Sequence, residues 1–130
     1  MLLMVMQDAL QRLNLTRESQ GLTGKVRAAI HLLLSNGEPA LETVAENLGL
    51  SAWTLQRRLR EHNVSFSVLV DNVRSELATH YLQQKSLSVS AMAMLLGYSE
   101  VSAFSRACRR WFGISPRQWR RQENLTAESQ

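Results

Sequence analysis

Apolar residues return every three or four positions along most of the chain and nowhere alternate as a half-buried strand would. Val5, Ala9 and Leu13 predict a first short helix over 4–13. Residues Asn14–Gly24, rich in Thr, Ser and Gly, read as a linker. Val26, Ile30, Leu33 and Leu34 share one stripe of a second helix, which Ser35-Asn36-Gly37 ends. Pro39 suits a first helical position, and Leu41, Val44, Ala45 and Leu48 give that short helix its apolar face before Gly49 stops it. Ser51 predicts an N-cap for a helix over 52–62, with Leu55 and Leu59 inward. Ser65 caps a long helix over about 66–84, whose stripe runs from Phe66 through Leu69, Val70, Val73 and Leu77 to Tyr81. At 1.5 Å per residue it would be roughly 30 Å long.

The pattern then recurs. Ser88 predicts the cap of a short helix reaching Leu96, Gly97 stops it, and Ser99 predicts the cap of a helix to about Phe112. Ser115-Pro116-Arg117-Gln118 combines a cap, a proline at the first helical position and a capping-box glutamine, giving a last helix over 116–122 and a flexible tail over 123–130.

Side by side, Ala45-Glu-Asn-Leu-Gly49-Leu-Ser51 and Ala93-Met-Leu-Leu-Gly97-Tyr-Ser99 repeat Ala, Leu, Gly and Ser at an offset of 48. Leu55-Gln-Arg57 then matches Phe104-Ser-Arg106 at an offset of 49. Each unit reads helix, glycine turn, helix, the sequence form of a helix-turn-helix. The expected fold is all-α: a first helix-turn-helix subdomain over 25–64, a linker helix over 65–84, and a second subdomain over 85–122, with about seven helices.

Charge sharpens this picture. The chain has 130 residues and a net charge of +4, a modest excess that suggests an anionic partner. Its placement says more, because residues 25–60 carry +2 and residues 99–122 carry +5, while 61–98 are net acidic. Both second helices hold the excess, with Arg57, Arg58 and Arg60 in one and Arg106, Arg109 and Arg110 in the other. Successive major-groove faces on one side of B-DNA lie about 34 Å apart, so a strut of about 30 Å is of the right order.

Other chemistries are poorly supplied. One cysteine, Cys108, excludes an internal disulfide, and His31, His62 and His80 lack metal-ligand spacing with it. No phosphate-binding loop, nucleophile elbow or paired-carboxylate motif occurs, so neither an enzyme nor a cofactor is expected. No apolar run is long enough to span a membrane, and the expected compartment is the cytoplasm.

Residues 25–121 resemble the DNA-binding domain of the AraC/XylS family of bacterial transcription regulators. The resemblance is most specific in Gly97-Tyr98-Ser99, Phe104-Ser105-Arg106, Phe112-Gly113-Ile114-Ser115-Pro116 and the closing Trp119-Arg120. Two positions depart from the family pattern. Cys108 replaces a usual Phe, which leaves the second core less filled, and Asn63 replaces a frequent Gly, where Asn tolerates the left-handed backbone.

The resemblance implies that base-reading residues lie in the first two turns of each second helix. In the first unit these are Trp53, Gln56 and Arg57, which also share one helical face. In the second they are Val101, Ser102, Ser105 and Arg106, with Arg106 open between base reading and a structural role. Glu100 suits either a cytosine contact or the helix dipole. Phosphate contacts are expected from Arg58, Arg60, Arg109, Arg110 and Arg117, and from helix N-termini at Thr43 and Ser90.

The implied partners are double-stranded DNA and RNA polymerase, in an activator more than a repressor. Any effector would bind a sensor domain absent from this chain, of which residues 1–24 would be the connecting end, making the chain a fragment rather than a stand-alone relative. The alternative is a helical interaction module that binds RNA polymerase or an acidic partner without reading base sequence.

Overall fold

The computed structural model describes residues 17–128, with side chains described for 21–123. The described residues form seven α-helices and no strand: α1 Arg17–Leu33, α2 Leu41–Asn47, α3 Ala52–Glu61, α4 Phe66–Leu82, α5 Val89–Leu95, α6 Val101–Phe112 and α7 Pro116–Glu128. A single 3-10 turn, Leu34–Asn36, closes α1. The helix expected over 4–13 lies outside the described residues.

Several boundaries differ from the sequence expectations. The linker expected over 14–24 is helical from Arg17 onward. Gly21 and Gly24 lowered its helical signal, but the apolar face of α1 carries the segment into the fold, with Val26 and Ile30 fully buried. The short second helix starts at Leu41 behind an Ala40 cap, not at Pro39, which is buried just outside it. Helix α4 ends at Leu82, so its 17 residues span about 26 Å instead of 30 Å. The last helix continues to Glu128 where a frayed tail from 123 was expected.

Two apolar clusters share α4. The first gathers Val26 and Ile30 of α1, Leu34, Val44 and Ala45 of α2, Leu55 and Leu59 of α3, and Leu69, Val70 and Val73 of α4. The second gathers Ala78 and Leu82 of α4 with Met92, Ala93, Leu96, Phe104 and Cys108. Leu77 packs against both. Cys108 is fully buried, and that burial pushes its thiol up to about 11 against the opposing pull of Arg109.

Gly24 sits mid-helix in α1, exposed, with open space where a Cβ would be. Gly24→Ala should therefore raise stability by about 0.5–1 kcal/mol, because alanine narrows the unfolded ensemble and suits the helix better. The denaturant midpoint measures this, and an unchanged or lowered midpoint would refute a helical role for residues 17–25.

Candidate nucleic-acid interface

Each helix-turn-helix turn is built by the same backbone bonds. In the first, the Gly49 and Leu50 amides donate to Glu46 O (3.0 Å) and Ala45 O (2.8 Å). In the second, the Gly97 and Tyr98 amides donate to Met94 O (3.0 Å) and Ala93 O (2.9 Å). Both glycines are left-handed, at φ 71° and 85°. The repeat therefore holds at an offset of 48 through Tyr98.

The extra residue enters next. Ser51 caps α3 by accepting from the Thr54 amide, but the equivalent cap of α6 is Glu100, not Ser99. An offset of 49 thus begins at the cap itself, with Ser99 as the inserted residue. Glu100 makes no side-chain cap bond to the backbone, and its carboxylate accepts from Ser102 Oγ at 3.2 Å. The other predicted serine caps hold: Ser65 caps α4, Ser88 caps α5, and Ser115 and Gln118 exchange both capping-box bonds at 3.2 and 3.0 Å. Asn63 takes φ 57°, the conformation expected of it.

Helix α3 divides sharply. Leu55 and Leu59 are buried, whereas Trp53, Gln56, Arg57, Arg58 and Arg60 are exposed. Trp53 is 68% exposed, so its ring lies outside the core and is open to a partner. The Arg57 guanidinium lies 4.9 Å from its ring centroid and also reaches Glu61 at 4.0 Å. An exposed ion pair of this kind contributes little. Stacking on a planar ring instead restricts where the Arg57 fork points.

Helix α6 presents Val101, Ser102, Arg106, Arg109 and Arg110 outward, with Ser105 half-buried. Arg110 is already engaged: Asp71 of α4 accepts from it at 2.6 Å. Arg117 is exposed in the first turn of α7, and Thr43 and Ser90 are exposed near the starts of α2 and α5.

Two arginines that the sequence reading left unassigned point inward. Arg120 donates to the carbonyls of Gln84 (2.8 Å), Leu82 (3.3 Å) and Tyr81 (3.4 Å), tying α7 to the C-terminal end of α4. Arg74 is 6% exposed and bridges the two units. The sequence signal for Arg74 was its spacing, four residues after Val70 and three before Leu77 of the inward stripe. Part of the positive charge is therefore structural, and the outward basic residues belong chiefly to α3 and α6. Among the described residues no cluster of His, Cys, Asp and Glu could hold a metal ion, and no helix is long and apolar enough to cross a membrane.

Comparison with known proteins places this arrangement. A family model described as a helix-turn-helix domain matches residues 44–122. The HTH-type transcriptional regulator VirS of Mycobacterium tuberculosis is 42% identical over 99 residues, covering 76% of this chain and 29% of VirS. A DNA-binding transcriptional dual regulator of Escherichia coli K-12 superposes with a TM-score of 0.74 at 25% identity, over 80% of this chain and 93% of that one. A Chromobacterium violaceum transcriptional regulator described as AraC-type DNA-binding domain-containing shares the fold, with a TM-score of 0.68 at 24% identity over 82% and 95% of the two chains. The chain spans about three tenths of the curated relatives it matches.

Proposed function

Because the chain belongs to the AraC-type helix-turn-helix domain family, we propose that it is a sequence-specific DNA-binding transcriptional regulator that places α3 and α6 in adjacent major-groove segments. The observation that carries this reading is the repeated division of α3 and α6: a buried apolar face in each core, and an outward face rich in arginine. Trp53, Gln56 and Arg57 read bases in the first unit. Val101, Ser102, Ser105 and Arg106 do so in the second. Arg58, Arg60, Arg109 and Arg117, with Thr43 and Ser90, meet phosphates, and Arg110 joins them only by leaving Asp71. The chain then acts as a non-catalytic cytoplasmic activator whose protein partner is RNA polymerase.

The test is affinity for a site selected from random DNA against scrambled DNA at one stated salt concentration. A ratio of roughly 10³ or more is expected, and a ratio near one sinks sequence reading in favour of an interaction module. Within that assay, Arg57→Ala should cost about 1–3 kcal/mol and relax the preference at one base position. Arg109→Ala should instead weaken all sequences alike and lower the salt slope by about one. Equal, sequence-independent losses in both variants would overturn the assigned roles.

A further inference from the structure

Among the described residues the two helix-turn-helix units meet where α5 packs on the 3-10 turn after α1, and a buried side chain bridges them there. Arg74 lies on the inward face of α4 with 7% of its side chain exposed. Its Nε donates to Leu96 O at 2.7 Å, and its Nη2 lies 3.4 Å from Gly97 O. Both carbonyls end α5, where a cation also meets the negative end of the helix dipole. The same Nη2 donates to the Glu38 carboxylate at 2.8 Å, in the segment between α1 and α2. The guanidinium stacks 4.3 Å from the centroid of Tyr98. One fork thus grips the turn of the second unit with some donors and the first unit with another.

The backbones meet at the same place. A Cβ on Gly97 would stand 2.6 Å from Gly37 O and 2.7 Å from Leu34 O, so the turn of the second unit rests on the closing turn of α1. Away from this joint the units have separate cores and share only α4. A helix alone fixes distance along its axis, but rotation of a packed unit about its end is resisted only by contacts.

We propose that Arg74 is a positioning residue that fixes the orientation of the second helix-turn-helix relative to the first, and so sets the half-site spacing the protein accepts. Its use rests on the DNA-reading proposal, whereas its geometry does not. One added base pair shifts the second half-site by about 3.4 Å and turns it by about 34°. A joint that holds both translation and rotation rejects that change; a loosened joint follows it. Arginine suits the task because its planar fork reaches several acceptors at fixed angles, which a lysine ammonium cannot do.

The test has a DNA-free arm and a DNA arm. Nitroxide labels on Glu46→Cys in α2 and Arg121→Cys in α7, both exposed positions, report the distance between units, while buried Cys108 stays unlabelled. The parent protein should give one narrow distance distribution. Arg74→Met should lose it to a broad one, with Arg74→Lys intermediate. Glu38→Ala removes only the exposed partner and should broaden the distribution while the protein still melts cooperatively. In the DNA arm, one inserted base pair should cost the parent about tenfold or more, the size of one mismatch. Arg74→Met should lose that discrimination while keeping its affinity for a single half-site. Unchanged distances in both a cooperatively folded Arg74→Met protein and Glu38→Ala overturn the proposal. Should Arg74→Met not fold, Glu38→Ala decides alone. If no DNA site can be selected, the DNA-reading proposal falls while the label distances still decide the joint.

Discussion

Gly97→Ala is expected to cost about 3 kcal/mol or more, a large part of the roughly 5–15 kcal/mol that holds a domain together. Two effects add. The residue sits at φ 85°, where any L side chain costs about 1–2 kcal/mol. The new methyl would also press on two backbone oxygens, Gly37 O at 2.6 Å and Leu34 O at 2.7 Å, with Arg74 Nη2 at 3.1 Å. Backbone carbonyls at a packed helix end cannot rotate away as a flexible side chain does. Gly49 is the internal control. It has the same place in the first turn and φ 71°, but nothing within 4 Å of its would-be Cβ. Gly49→Ala should therefore lose only the conformational part, about 1–2 kcal/mol. Denaturant unfolding of the two variants measures the difference, and equal losses would show that the joint imposes no crowding.

That contrast marks what the sequence could disclose. Both turn glycines were legible because the local geometry is the same, and local geometry follows from local sequence. That only Gly97 is crowded depends on α1, some sixty positions away in the chain, and no spacing rule encodes it. The caps at Ser51, Ser65, Ser88 and Ser115 were legible for the same local reason. Ser99 misled because the repeat was aligned by residue type; the inserted position becomes visible only when the cap is located by its backbone. Arg74 and Arg120 had no role assigned because an arginine in sequence is the same letter whether its fork meets solvent or a carbonyl. On α3 the inward leucines left the opposite face to solvent, so the exposure of Trp53, Gln56 and Arg57 was legible. On α6 the same logic worked for the face but could not foresee that Asp71 engages Arg110.

Phe104→Ala should cost about 3–5 kcal/mol, and the loss should fall first on the second unit. The repeat explains why this one ring matters so much. At an offset of 49, Leu55 and Leu59 of the first core correspond to Phe104 and Cys108 of the second. The first unit spreads its buried volume over two leucines; the second concentrates it in one phenylalanine beside a small thiol. All four are essentially fully buried, so none can be replaced by water without loss. Leu55→Ala should accordingly cost less than Phe104→Ala, within the range of about 2–5 kcal/mol for such truncations. The Phe104 ring also stacks at 6.0 Å on Tyr98, whose own ring carries the Arg74 guanidinium. A void at 104 would thus loosen the second core and slacken the joint to the first unit together. Native-state hydrogen exchange can follow both consequences: amides of α5 and α6 should lose protection before those of α1 and α3. If protection falls equally in all helices, the two clusters form one cooperative unit and the divided core proposed from the repeat is wrong.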